Sequence, residues 1–202
     1  FGAHPDDVEL GCGGTIIKET KKGSVVGIID LTRGELGTRG NADIRDLETK
    51  KATNIMGVAF RDNMNFKDGF FKDDENHKLD LIRKIREYRP DIVITNAVSD
   101  RHPDHQRSSQ ISVDACFLSG LEKINTEQEK WRPRSIFHYI QFNNLTPDFV
   151  IDISNEIELK VQAVKSYSSQ FYNSDSKESE TIISSESFLE SVSYRAKDLG
   201  RQ

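Results

Sequence analysis

The chain has 202 residues, of which 35% are hydrophobic and 30% charged, with a net charge of -5. That length suits one domain able to bury a real core, and the acidic balance argues against nucleic acid or an anionic membrane as partner. No apolar run approaches the roughly 18 residues of a membrane span, no signal-peptide pattern is present, and Cys12 and Cys116 are too far apart in sequence for a metal-type pair, so a reduced, cytoplasmic setting is expected.

In chain order, Phe1-Gly2-Ala3 reads as the end of a strand whose earlier part is expected to be missing. Gly14 to Lys22 reads as a short helix stopped at Gly23, and Val25 to Ile29 as a strand buried on both faces. Ile44, Leu47, Ile55 and Met56 predict a helix ending at Gly57. Leu79, Ile82, Ile85 and Tyr88 predict another before Pro90, followed by a strand over Ile92 to Ile94. A helix is expected from near His105 to Gly120, then strands over Ile136 to Phe142 and Phe149 to Ile153. Ser154 is placed as the cap of a helix with Glu156 and Glu158 in its first turn. The Ser- and charge-rich stretch from Asn173 to Ser187 reads as a mobile loop, and Ser187 to Leu199 as a last helix. Alternation of strand and helix predicts an α/β, Rossmann-like, mostly parallel sheet flanked by helices.

Two segments carry the chemistry. His4-Pro5-Asp6-Asp7 and His102-Pro103-Asp104-His105 each follow an apolar run. In open α/β sheets, sites form outside the carboxyl ends of strands. One His-Pro-Asp alone would be read as a turn; two of them, with three histidines and three carboxylates among them, point to a divalent metal with an acid and a base beside it. His4 and Asp7 can grip one ion from a single turn, with His105 as third ligand; spacing alone also allows Asp6 in place of Asp7. Asp6 is then a candidate base, His102 a candidate acid or oxyanion stabiliser, and Asp104 the group that orients it. Gly11-Cys12-Gly13-Gly14 fails the dinucleotide pattern at Ile16, and its glycines are read as allowing close packing. His77 reads as solvated, His138 as packed, and Cys12 as a small buried residue.

His4-Pro5-Asp6-Asp7-Val8-Glu9, the following Gly13-Gly14-Thr15 and His102-Pro103-Asp104-His105 resemble the LmbE/PIG-L family of zinc-dependent de-N-acetylases over nearly the whole chain. Asp30 to Asn41, Asp100 to His105 and Tyr167-Ser168-Ser169-Gln170-Phe171 resemble the bacillithiol-biosynthesis branch, which deacetylates N-acetylglucosaminyl-malate. The resemblance implies a single LmbE-like deacetylase domain over residues 1–202 with incomplete termini. It implies a zinc ion, or another divalent metal, on His4, Asp7 and His105. Asp6 falls on the family's base, and His102 on its second catalytic histidine with Asp104 behind it. Glu35, Arg45, Asp68 and Arg101 fall on substrate contacts. It further implies a small N-acetylglucosamine conjugate as substrate and a homotrimer or homohexamer. Alternatives are another N-acetylglucosamine conjugate or chitin fragment, or a metal-binding fragment without turnover. Arg39, beside the site loop, reads as a surface charge.

Overall fold

Aliphatic runs become strands here because helices cover both faces of the sheet they form. The computed structural model describes residues 1–201. Its elements run α1 (Asp7–Lys21), β1 (Gly27–Thr32), α2 (Ala42–Met56), β2 (Phe60–Phe66), α3 (Glu75–Tyr88), β3 (Ile92–Thr95), α4 (Pro103–Leu118), β4 (Ser135–His138), α5 (Ile157–Lys165), a 3-10 turn (Ile182–Ser184) and α6 (Glu186–Gly200). β1 pairs in parallel with β2, Gly27 opposite Phe60, and β3 in parallel with β4, Ile92 opposite Ser135. Residues 1–3 lie between the two pairs. The Gly2 N–H donates to the Ile29 carbonyl at 3.0 Å, the Leu31 N–H donates to Gly2 at 2.8 Å, and the Phe1 amine donates to the Ile94 carbonyl at 2.7 Å. The order across is β2, β1, residues 1–3, β3, β4.

α3 and α4 cover one face, where Leu81, Ile82, Ile85, Ile111 and Ala115 meet Leu31, Phe66 and Val93. On the other, Val8, Cys12, Ile16 and Ile17 of α1 pack with Ile28, Met56, Tyr139 and Ala163. A third cluster, Ala52, Val164, Tyr167, Phe171 and Leu189, joins α2 to α6. Gly11 faces the Tyr139 ring so closely that a Cβ there would overlap it. Gly11 and Gly14 of α1 therefore serve close packing, though against Tyr139 and Ile153 rather than the site turn.

Several boundaries differ from expectation. α1 begins at Asp7 instead of Gly14, because Asp7 and Glu9 sit in its first turn, where the helix dipole favours them. β2 is not among the expected strands. Its sequence, Phe-Arg-Asp-Asn-Met-Asn-Phe, lacks an apolar run, and the side chain of its one cation is buried by pairing instead: Arg61 Nε and Nη2 donate to Asp30 at 2.7 and 2.9 Å, and Nη1 donates to Glu9 at 2.5 Å. Phe149 to Ile153 forms no strand; Phe149 and Val150 are more than half exposed, and Phe149 meets β4 through the Phe137 ring. Ser154 caps nothing, since its hydroxyl donates to Asp152, and α5 starts at Ile157. His138 is exposed, tethered through Nδ1 to the Asn96 carbonyl at 2.8 Å, and His77 is half-buried against Phe66 and Asp74. Cys12 is a buried free thiol. No helix among the described residues is long and apolar enough to cross a membrane.

Candidate active site

The carboxyl ends of β1, β2, β3, β4 and of residues 1–3 share one edge, and the segments leaving that edge build the site. His4 follows Ala3; Gly34 to Arg39 follow β1; Asp68 follows β2; Asn96 to His102 follow β3; Gln141 follows β4. The backbone of Asp6 takes φ 114° and ψ -24°, a strained conformation for a residue with a Cβ. Asp6 stands at the N-cap of α1, yet its carboxylate makes no capping bond.

The three histidines converge. The ring centroids of His4 lie 4.6 Å from His102 and 5.4 Å from His105, and those of His102 and His105 are 5.2 Å apart. Asp7 is the anchor between them. Its Oδ1 is 3.1 Å from His105 Nε2, its Oδ2 is 3.6 Å from His4 Nδ1, and it accepts the His4 N–H at 3.0 Å. Two residues outside the sequence motifs hold it: Asn96 donates to Oδ2 at 3.1 Å and Gln141 to Oδ1 at 2.5 Å. Asp100, to which the sequence assigns no role of its own, lies 3.1 Å from His105 Nδ1 and so turns Nε2 inward. All three follow strand ends, and that position is the signal by which sequence could have found them.

Charge is arranged in opposition. Burial works against a cationic His4, but Asp104, Asp68 and Asp7 hold its pKa well above the ordinary range. Burial likewise opposes charge on His105, but Asp7 and Asp100 raise it to about 9. Asp7 is buried, yet His105 and His4 hold it well below the usual carboxylate range. Asp6 goes the other way: burial pushes it to about 7 against the pull of Arg45. His102 is lowered by burial and by the neighbouring His4 and His105.

Protons on His4 and His105 thus lie where a cation bound at the same donors would put its charge. Nitrogen and carboxylate donors without thiolate fit a catalytic divalent ion such as zinc. His4, His102 and His105 offer ligand atoms within 4.8 Å of one another, as do His4, Asp68 and Asp104. His102 Nδ1 already accepts the Asp104 N–H at 3.2 Å. The neutral ring therefore carries its proton on Nε2, which makes His102 a donor rather than a ligand.

The structure revises the role of Asp104. Its carboxylate does not orient His102. It lies 3.3 Å from His4 Nε2, accepts the Gly69 N–H at 2.8 Å and pairs with Arg107; only its backbone N–H reaches His102. Asp68 lies 3.0 Å from His4 Nε2 and accepts the Leu36 N–H at 2.9 Å; its own N–H donates to Glu35 at 2.8 Å. Burial works to raise the Asp68 pKa, but the contact with His4 prevails and holds it at about 2. Arg45 is buried, donates to the Pro5 carbonyl at 3.1 Å, and stands 3.6 Å from Asp6. Gly34, at φ 65°, lets the loop lie directly on that guanidinium. Arg101 is exposed and stacks on Phe142, its guanidinium carbon 4.6 Å from the ring centre.

The family model described as PIG-L, GlcNAc-PI de-N-acetylase, matches residues 1–116, the half that carries both histidine segments. The chain belongs to the PIG-L family of de-N-acetylases. Diacetylchitobiose deacetylase of Thermococcus kodakarensis is 31% identical over 180 residues, 83% of this chain and 67% of that protein. A probable N-acetyl-α-D-glucosaminyl L-malate deacetylase 2 of Bacillus anthracis is 29% identical over 190 residues, 83% of this chain and 78% of that one. Among solved structures, the conserved protein TT1542 of Thermus thermophilus superposes with a TM-score of 0.90 at 36% identity, covering 99% of this chain and 86% of that one. As a PIG-L member the chain is an amide hydrolase with the α/β fold of LmbE-like proteins.

Proposed function

We propose that this PIG-L domain, spanning residues 1–202, hydrolyses the acetamide of an N-acetylglucosamine conjugate, with zinc held by His4, Asp7 and His105. The observation that carries the reading is two differently tuned groups in the two histidine segments: Asp6, which makes no capping bond and is raised to about 7 by burial, and His102, lowered and fixed as an Nε2–H donor. Zinc at that site would supply Lewis acidity, acidifying water and polarising the amide carbonyl. Asp6 takes the proton as the water oxygen adds to the acetyl carbon. His102 donates its Nε2–H to the oxygen on which negative charge develops. As the C–N bond breaks, Asp6 returns its proton to the leaving nitrogen, giving acetate and the free amine. Asn96, Gln141 and Asp100 hold Asp7 and His105 in place throughout.

The malate conjugate of the bacillithiol route is the favoured substrate, because Arg101 presents an exposed guanidinium beside His102, suited to a carboxylate. A chitin fragment is the second reading, favoured by the likeness to the diacetylchitobiose enzyme. Acetate release is the test. With zinc present, N-acetylglucosaminyl-malate is expected to yield acetate faster than N,N'-diacetylchitobiose, and a chelator should stop both. No acetate from either substrate in metal-loaded protein would remove the reading.

A further inference from the structure

We propose that the Arg39 guanidinium and the Gly40 N–H form a seat for an oxyanion, and that the chain's own Glu178 holds this seat closed. Arg39 is 5% exposed, and its Nε has no hydrogen-bond partner among the described residues. The Glu178 carboxylate faces it. Oε1 accepts the Gly40 N–H at 2.9 Å, while Oε2 stops 3.7 Å from Arg39 Nε, too far for a hydrogen bond. Ser176, two residues earlier, takes the donor at Arg39 Nη2 and accepts the Glu178 N–H at 3.3 Å. A buried guanidinium with an unmet donor is costly. Glu178 meets the charge but not the geometry.

The occupant is loosely held, whereas the seat is firm. The Glu178 side chain is 48% exposed and stands in the Asn173–Glu180 stretch, which has neither helix nor strand. With one partner half exposed to solvent, such an ion pair is weakened by screening and by the freedom its carboxylate side chain gives up. The floor beneath is packed: Gly40 has φ 67°, and a Cβ there would lie 2.8 Å from the Ser169 Cβ. Ser169 is fixed by Glu48, which accepts its N–H and its hydroxyl, each at 2.7 Å. The Arg39 carbonyl accepts Gln170 Nε2 at 2.8 Å. An incoming carboxylate or phosphate could meet Arg39 Nε and the Gly40 N–H together, through the charge-assisted, directional contacts that guanidinium favours. The seat also couples to the site, because the same loop carries Glu35 and Leu36, both bonded to Asp68, and its Gly37 lies against Arg45.

The ligand class is an oxyanion, from either of two sources: a carboxylate on the substrate's aglycone, or free phosphate. Inorganic phosphate titrated calorimetrically into the full chain decides whether the seat exists. Glu178→Ala should bind phosphate on the order of tenfold more tightly than the unaltered chain, by removing the competitor. Adding Arg39→Met should abolish that binding. Because Arg39 is buried, Arg39→Lys, which keeps the charge and loses the fork, serves as a second variant and should bind more weakly than Arg39, with circular dichroism confirming its fold. Equal phosphate affinity with and without Glu178, or affinity indifferent to both Arg39 variants, would overturn the proposal. The source follows from kinetics. A KM that falls in Glu178→Ala only for a carboxylate-bearing conjugate assigns the seat to substrate. A KM that phosphate shifts alike for anionic and neutral substrates assigns it to the free ion. This kinetic arm rests on the deacetylase reading and the phosphate titration does not, so failure of one is distinguishable from failure of the other.

Discussion

At the scale of single residues, Asp6 is the most informative side chain. It sits in a left-handed conformation, caps nothing, and is driven by burial to about 7 with Arg45 as the opposing charge. A base must be deprotonated to act, so Asp6 sets the acid limb of the activity profile. Asp6→Asn should retain metal and lose roughly 10²–10⁴ in turnover, as read by elemental analysis beside acetate release. Arg45→Gln should move the acid limb to higher pH, since the cation that favours carboxylate is gone. Linkage gives an independent check. The folded pKa of Asp6 lies above its ordinary 3.8, so the folded state binds more protons between about 4 and about 7, and Asp6 costs stability as pH rises through that window. In chelator, Asp6→Asn should therefore melt above the unaltered chain at pH 8 and level with it near pH 3. A melting difference of the same size at both pH values would mean that Asp6 is not shifted. None of this is legible from Asp6 as a letter. Sequence places it beside a metal but cannot show which of two adjacent aspartates turns toward the histidines. That choice is made by φ at Asp6 and by Asn96 and Gln141 gripping Asp7.

At the scale of elements, α4 shows a functional residue with a structural duty. Its N-cap is His102, whose Nδ1 accepts the Asp104 N–H, with Pro103 next in the first turn. Truncating His102 therefore removes a cap as well as a donor, and caps are worth about 0.5–2 kcal/mol. Asparagine is a strong capping residue and cannot replace imidazole as a donor to the oxyanion. His102→Ala should lower both thermal stability and kcat, whereas His102→Asn should recover most of the stability and little of the kcat. If asparagine recovers both, the histidine is a cap and another group serves the oxyanion. The same scale explains where periodicity fails. α3, β3 and α4 are legible from apolar spacing and stop signals because each buries an aliphatic face; α2 is marked by its stop at Gly57, but two of its expected stripe residues, Ile44 and Leu47, are exposed, and the face it buries is Arg45, Glu48, Ala52 and Met56. β2 is not legible, because besides Phe66 its buried side chain is that of Arg61, covered by Asp30 and Glu9 from β1 and α1, and no local pattern announces a partner 31 or 52 residues away. Phe149 to Ile153 errs the other way: it has a strand's composition, yet it meets the edge strand β4 through the Phe149 and Phe137 rings and forms no backbone ladder.

At the scale of the molecule, a net charge of -5 means that the field as a whole does not draw in an anionic substrate. Recognition of a carboxylate must then come from local cations, and the two arginines inferred to contact substrate differ in what they are free to do. Arg45 is buried under Gly34, and its Nη1 donates to the Pro5 carbonyl and faces Asp6, so it is engaged with the catalytic turn. Arg101 is exposed, and its guanidinium carbon lies over the Phe142 ring. Stacking leaves a guanidinium's in-plane donors available, and that edge is the part that reads a carboxylate. Arg101→Ala should therefore lower kcat/KM for N-acetylglucosaminyl-malate by about tenfold to a hundredfold, the worth of a hydrogen bond to a charged group at ~1.5–3 kcal/mol, and leave a neutral N-acetylglucosamine substrate nearly unchanged. Arg45→Ala should reduce both substrates alike, because it acts through Asp6. The malate effect should shrink with added salt, since exposed charges are screened over about 8 Å at physiological ionic strength. Equal losses on both substrates for Arg101→Ala would reduce Arg101 to a prop for Phe142 and shift the weight to the chitin-fragment reading, in which no carboxylate has to be read.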